Sequence, residues 1–472
     1  MREASILEHY QPYNQSELDA LWEKNRPSLH HKIVVLDDDP TGVQTVHGVS
    51  VYTDWTEETI TSGFEEENQI FFILTNSRAF TENETTVVHQ DIANRVEAIS
   101  KKLGVPYLII SRGDSTLRGH YPLETEVMKD TIEQRGGLFQ DGEVILPFFK
   151  EGGRYTIDDT HYVQDGDSLI PAGDTEFAKD RSFGYRASHL GEWVEEKTDG
   201  RFKKSDVTSI TLEELRSLSI GSIKEKLMGV HDFGKVIVNA IDENDVKVFV
   251  LALIEAINSG KQFMFRTAAA FTKVIGNISS RPLLERDELI LEDSEHGGLI
   301  IVGSHVKKTT DQLNALKELS SLEFIEFDCH LVGNQSAFAE ETNRVLHLVE
   351  NKLSEGVTTV VYTKRERLDL GEGMEEQELI QSVRISDALT SIVRNCAVRP
   401  NYIIAKGGIT SSDVGTKGLK VKRATVAGQI APGIPVWKTG QESTFPHIPY
   451  VIFPGNVGGI GTLKDVVLKL EN

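Results

Sequence analysis

Short aliphatic runs alternate with polar loops and helix-spaced segments along most of the chain. In the first half the runs are KIVVL (32–36), IFFILT (70–75), YLII (107–110), EVILP (143–147) and KVIVNAI (235–241). Continuous apolar runs of this length read as strands buried on both faces of a mainly parallel sheet. VVHQDIANRVEAISKKL (87–103) and DVKVFVLALIEAI (245–257) instead space their apolar residues with helical period. The pattern pauses at the polar stretch EDSEHGG (292–298). It restarts with LIIVGSH (299–305), TTVVYT (358–363), YIIAKGG (402–408) and YVIFPGN (450–456). TTDQLNALKELSSL (309–322) reads as a helix with a Thr N-cap. The alternation predicts an α/β chain of two domains, each with a mainly parallel sheet flanked by helices. The expected division is an N-terminal extension over 1–31, a first domain over 32–294 and a second over 295–472. Residues 150 to 230 carry no pattern regular enough to assign.

Composition sharpens this picture. A chain of 472 residues exceeds one ordinary core, which supports two domains. The net charge of −22 argues against a nucleic-acid partner, whose phosphates need clustered Lys and Arg, and against an anionic membrane surface. An anionic ligand would have to be held by a few local cations and backbone N–H groups. Cys329 and Cys396 form no CxxC pair, so neither a thiolate zinc site nor a disulfide framework is indicated. The N-terminus is polar, and no apolar run approaches ~18 residues, so no export signal or membrane span is expected. A cytoplasmic protein is the expectation.

Candidate chemistry collects just after the strands, where open parallel sheets bind ligands. In the first half these loops are DDDPTG (37–42), TNSR (75–78) and SRGDSTLRGH (111–120). Three adjacent aspartates repel one another, and folding alone does not reward them. Arg78, Arg112 and Arg118 are candidates to fork onto a carboxylate. Asp38, Asp39 and Asp114 are candidates to accept hydrogen bonds from hydroxyls or to take a proton. Any one of these is equally a solvated loop residue or half of an internal ion pair; the convergence of three loops is what singles them out. Mixed Arg and Asp suit a polyhydroxylated acid.

The second half carries GSHVKKTT (303–310), KGGITSSD (406–413) and PGNVGGIG (454–461). Glycines such as Gly407, Gly408 and Gly455 let backbone N–H groups approach phosphate oxygens. Thr410, Ser411 and Ser412 add hydroxyls, and Ser304 leaves a similar strand. The plain alternative is a set of tight turns. No Walker A or GxGxxG pattern occurs, so the usual P-loop and dinucleotide readings are not supported. One rim for a hydroxy acid and another for phosphates point to a kinase.

Two rivals belong to other classes. VVLDDDPT contains DxDxT after an aliphatic strand, the arrangement of haloacid-dehalogenase-like phosphatases, with Asp37 as nucleophile and Asp39 as general acid. That reading leaves the glycine loops of the second half without a role. A non-catalytic sugar-acid receptor is the third option, weakened by the absence of an export signal.

The ordered set DDDPTG, TNSR, RGDSTLRGH, TEFAKDRSFGYRAS (175–188), GSHVKKTTDQL (303–313), KGGITSSD and PGNVGG resembles the four-carbon acid sugar kinase family, over roughly residues 32 to 466. The resemblance implies a substrate-binding domain, a nucleotide-binding domain and an active site in the cleft between them. It implies ATP-dependent phosphorylation of the terminal hydroxyl of a tetronate such as threonate, erythronate or 3-oxo-tetronate, or of a related branched acid. It gives Asp38, Arg78, Arg112, Asp114 and Ser115 to the substrate, and Ser304, Gly407, Gly408, Ile409, Thr410 and Gly455 to the nucleotide. Pro40 and His120 depart from residues common in the family, Leu and Asn. His120 and His161 read as ordinary loop histidines. With the substrate carboxylate on Arg78 or Arg112, Asp38 is the favoured base and Asp114 the second choice. Mg²⁺ is expected with ATP, its protein ligand left open among Asp37, Asp39 and Asp413. Oligomeric state stays open, a homodimer being one candidate.

Overall fold

The computed structural model describes residues 1–291, 295–366, 375–455 and 457–471. The chain forms two compact units, one of residues 1–42 and 54–279, the other of 43–53 and 280–472. This differs from the expected division at both ends of the first domain. The first 31 residues are part of the first unit, not an appendage: Arg2–Glu3 pairs antiparallel with Ser168–Pro171, and the Tyr13 hydroxyl donates to Asp245 at 2.6 Å. Residues 43–53 belong to the second unit, where Ser50–Tyr52 pairs antiparallel with Arg423–Ala431. The polar stretch 292–294 and Asn456 of the PGNVGG motif lie outside the described residues.

The first unit is built on a seven-stranded, wholly parallel sheet. Its order is Thr208–Ile210, Gly234–Val238, Gly142–Leu146, Phe263–Thr267, Tyr107–Arg112, Lys32–Asp37 and Ile70–Leu74. The interior strands are buried along their length, which is why their sequences are apolar without alternation. Helices Glu82–Leu103 and Glu243–Asn258 occupy the two segments with helical spacing, each opened by a capping box. The unassigned region contains a hairpin, Arg154–Ile157 with Thr160–Asp165, extended by Ser168–Pro171. Its turn residues Asp158 and Asp159 both adopt positive φ, 49° and 57°, as a two-residue hairpin loop requires.

The second unit has a mixed sheet. Pro449–Phe453, Ile403–Lys406, Leu299–Val302, Thr359–Thr363 and Glu323–Phe327 are parallel in that order. Ile434–Thr439, Arg423–Ala431 and Ser50–Tyr52 continue it antiparallel. Leu313, Leu316, Val451, Val467 and their neighbours form its core. The helix expected to be capped by a Thr instead spans Lys307–Leu316. Thr309 lies inside it, its hydroxyl given to the Gly455 carbonyl at 3.2 Å. No helix among the described residues is long and apolar enough to cross a membrane.

Each sheet has a point where the strand order reverses. In the first unit Lys32–Asp37 lies between Ile70–Leu74 and Tyr107–Arg112. In the second Leu299–Val302 lies between Thr359–Thr363 and Ile403–Lys406. At such a point successive connections leave in opposite directions and a crevice opens beyond the carboxyl ends.

Candidate active site

The acidic run emerges at the first of these crevices. Asp37 ends its strand opposite Leu74 and Arg112, and Asp37 and Asp38 are buried. Arg112 Nη1 lies 3.2 Å from Asp37 Oδ1 and 3.8 Å from Asp38 Oδ1. Arg78 forks onto Asp38, with Nε 3.0 Å from Oδ2 and Nη2 2.6 Å from Oδ1, and Nη1 donates to Asp39 Oδ2 at 2.6 Å. The other oxygen of Asp39 accepts from the Thr41 N–H at 2.7 Å and from the Thr41 hydroxyl. The chain then turns at Gly42, where a Cβ would stand 1.8 Å from Asp37 Oδ2. Only glycine lets the loop close over that carboxyl.

These environments divide the three aspartates. Burial pushes Asp37 up to about 8, against the opposing pull of Arg112. Burial also raises Asp38 above the ordinary carboxylate value, although Arg78 opposes it. For Asp39 burial again acts upward, but Arg78, Arg112 and the two Thr41 hydrogen bonds outweigh it, and the carboxyl sits below its ordinary value.

The RGDST loop lies beside this cluster. Asp114 Oδ2 accepts from Arg118 Nε at 2.8 Å and from the Thr116 hydroxyl. Burial raises Asp114, yet Arg78, Arg118 and Thr116 prevail and hold it far below the usual range. Three interior residues fix the loop's backbone. His161 donates from Nε2 to the Ser115 carbonyl at 2.7 Å while its Nδ1 accepts from Thr156 Oγ1 at 3.0 Å. The Tyr185 hydroxyl donates to the Thr116 carbonyl at 2.7 Å, and Arg266 Nη2 to the Arg118 carbonyl at 2.8 Å. His161 is therefore not an ordinary loop histidine; it is a buried strand residue, kept neutral by burial, with its value lowered to about 4. His120 does lie in a loop, where Nε2 meets the Phe80 carbonyl at 3.0 Å.

The structure thus brings Asp38, Asp39, Arg78 and Arg112 into one cluster, with Asp114 and Ser115 on the adjoining loop. Arg78 presents no open fork to a ligand carboxylate, since all its nitrogens face the aspartate run; Arg112 gives Nη1 to Asp37, and its Nε is buried without a partner. Arg266 had no signal beyond one charge inside an apolar run, FMFRT.

The second crevice gathers the glycine loops. Gly407 adopts a φ of 123°, and a Cβ there would stand 2.9 Å from Ser304 Cβ. Gly455 lies alongside, its Cβ direction 3.5 Å from Ser304 Oγ. Thr410 Oγ1 points at Gly303, and Ile409 stands 71% exposed beside them. Ser304, Gly407, Thr410 and Gly455 are therefore neighbours, and Gly408 opens onto free space. Two cations that the motif reading passed over support this floor. Lys406 is fully buried and donates to the Pro454 and Gly455 carbonyls at 2.5 and 3.3 Å; burial lowers it to about 7. Arg365 Nη2 donates to the Ser304 carbonyl at 2.6 Å. Glycine backbone at Gly407, Gly408 and Gly455, floored by a lysine with no carboxylate partner among the described residues, is an arrangement that can accept phosphate oxygens.

The metal candidates are otherwise engaged. Asp413 accepts from Ser386 at 2.5 Å and pairs with Lys417 at 3.1 Å, and Asp37 and Asp39 face the arginines. Among the described residues no group of three or more His, Cys, Asp or Glu is arranged to hold a metal ion. A Mg²⁺ ion that arrives on nucleotide phosphates keeps phosphate and water oxygens as most of its ligands and needs no such cluster.

Comparison with known proteins agrees with this division. Residues 33–275 match the model of a sugar-binding N-terminal domain, and residues 299–463 that of a nucleotide-binding C-terminal domain. No curated protein matches the chain. Among solved structures, a Haemophilus influenzae protein assigned to the DUF1537 family superposes with a TM-score of 0.61 at 16% identity, covering 93% of this chain and 99% of that one. A Salmonella typhimurium protein carrying the name of a tRNA synthase superposes with a TM-score of 0.66 at 14% identity, covering 93% and 98%. At these identities the likeness concerns the fold.

Proposed function

Because the chain belongs to the four-carbon acid sugar kinase family, we propose that it transfers the γ-phosphate of ATP to the terminal hydroxyl of a four-carbon or related branched sugar acid. The observation that carries this reading is the pairing, on one chain, of a sugar-binding domain with a nucleotide-binding domain whose glycine loops gather beside Ser304 and Thr410.

In this reading Ser304, Gly407, Gly408, Ile409, Thr410 and Gly455 hold the nucleotide. Asp38, Asp39, Arg78, Arg112, Asp114 and Ser115 form the acid's site. Asp38 is the better base of the two candidates. Burial raises its carboxyl above the ordinary value, whereas Asp114 is held far too acidic to keep a proton. Asp114 instead serves as a fixed acceptor for a substrate hydroxyl. Mg²⁺ bound with ATP neutralises charge on the transferring group; the chain's own share is positioning.

The phosphatase alternative fits poorly. It needs an ionised Asp37 and a protonated Asp39, and the environments impose the reverse order. A receptor without catalysis leaves the nucleotide cradle unexplained.

A coupled ADP-release screen over C4 and branched C5 sugar acids, with and without Mg²⁺, tests the proposal. Acid-dependent, Mg²⁺-dependent ADP release is expected. ATP hydrolysis indifferent to every acid would count against it.

A further inference from the structure

Five arginines stand around the RGDST loop, and four have partners. Arg78 and Arg112 face the aspartate run, Arg118 holds Asp114, and Arg266 donates to two backbone carbonyls. Arg154 alone of the five makes no side-chain hydrogen bond or ion pair among the described residues; its Nε is buried without a partner, as are those of Arg112 and Arg266, but those two engage other nitrogens. Its one packing contact of note is the Phe177 ring, 5.4 Å from the guanidinium carbon.

Its direction follows from the hairpin. Residues 154 and 156 share one face of the strand Arg154–Ile157. Thr156 pairs across the hairpin with His161, bonds to its ring, and that ring reaches the Ser115 carbonyl. The face that carries Arg154 is therefore the face turned to the RGDST loop. Phe177 gives a second, independent link. Arg118, which holds Asp114, packs over the same ring at 5.2 Å. Arg154 thus lies within the electrostatic reach of Asp114, beside the proposed hydroxyl-binding loop, with no anion of its own.

A half-buried guanidinium without a counter-ion carries a desolvation cost in the free protein. A ligand carboxylate offers the planar pair of acceptors that its fork matches. We propose that Arg154 is the anchor for the substrate's carboxylate, which the sequence reading had placed on Arg78 or Arg112. The assignment rests on the sugar-acid kinase reading and specifies which residue makes that site select an acid over a neutral polyol.

The test compares wild type, Arg154→Met and Arg154→Lys with the best acid from the screen and with the corresponding tetritol, which lacks the carboxylate. For Arg154→Met, KM for the acid is expected to rise about 10- to 100-fold, with KM for ATP unchanged. Its preference for acid over tetritol should vanish, and Arg154→Lys should recover part of it. Removing an unpaired charge should leave the melting temperature of the free variant equal or higher, and the acid should raise that of wild type alone. Unchanged KM and acid preference in Arg154→Met would overturn the anchor while leaving the kinase reading intact. A loss of melting temperature with acid selectivity preserved would mark Arg154 as merely structural and overturn it too. A wild-type enzyme that phosphorylates no sugar acid would overturn the kinase reading, and the anchor with it.

Discussion

Arg78 closes a two-pronged fork on Asp38, at 3.0 and 2.6 Å, while its remaining edge reaches Asp39 at 2.6 Å. One guanidinium thereby sets the position and charge of two neighbouring carboxylates. Lysine keeps the charge but has no planar fork. Arg78→Lys is expected to lower the acid-dependent kcat/KM by about 10²-fold or more, the scale of losing a preorganised donor, with ATP affinity unchanged. Arg78→Met should also cost about 3–5 kcal/mol in urea unfolding, because a buried carboxylate loses its partner. Near-native kcat/KM in the lysine variant would deny the fork a part in turnover.

Asp38→Asn removes the proposed base while keeping its shape. Turnover should collapse, by about 10² to 10⁴ if the proton transfer is rate-contributing, while ATP binding measured by calorimetry stays as in wild type. Turnover close to wild type would take Asp38 out of the chemistry.

Asp37 predicts a pH signature. Its folded value of about 8 lies above the ordinary 3.8, so between those limits the folded state holds a proton that the unfolded state releases. The contribution to stability is full below about 4 and is lost as pH rises through 8. Asp37→Asn cannot ionise. Its melting temperature relative to wild type should therefore climb from pH 4 to pH 8 and then level off. A difference that stays flat over this range would mean an ionised Asp37, and the case against the phosphatase reading would weaken.

Most of the parallel strands of both sheets were legible because buried parallel strands leave uninterrupted apolar runs; the short Thr208–Ile210, the edge strand Glu323–Phe327 and the antiparallel Ser50–Tyr52, Arg423–Ala431 and Ile434–Thr439 were not. Phe263–Thr267 escaped because Arg266 breaks its run, and the Arg154–Asp165 hairpin because its turn is Asp-Asp rather than Asn-Gly. The expected Thr cap was misplaced because the Thr309 hydroxyl serves a loop more than a hundred residues away. At the site, residue types were readable but their partners were not. Nothing local tells Asp37, Asp38 and Asp39 apart; burial beneath Gly42, the Arg78 fork and the Thr41 hydrogen bonds do, and two of these depend on tertiary contact. Arg154 carried no sequence signal at all.

The glycine cradle allows a paired test. A Cβ at Gly407 would meet Ser304 at 2.9 Å on a backbone with φ of 123°, whereas one at Gly408 would meet nothing within 4 Å. Gly407→Ala is expected to weaken ATP binding about tenfold or more, of the order of 1–3 kcal/mol of backbone strain. Gly408→Ala should bind ATP within about threefold of wild type if its Cβ also clears the phosphates. Equal, small effects at both positions would remove this loop from the nucleotide site.

The central claim is that this chain couples a sugar-acid site to a nucleotide site in one reaction. Following radiolabel from the γ-position of ATP tests it most directly. The label is expected to move onto a sugar acid, in a monoester at its terminal oxygen, with little appearing as free phosphate when the acid is withheld. Label released only as inorganic phosphate, at a rate no sugar acid alters, would contradict it.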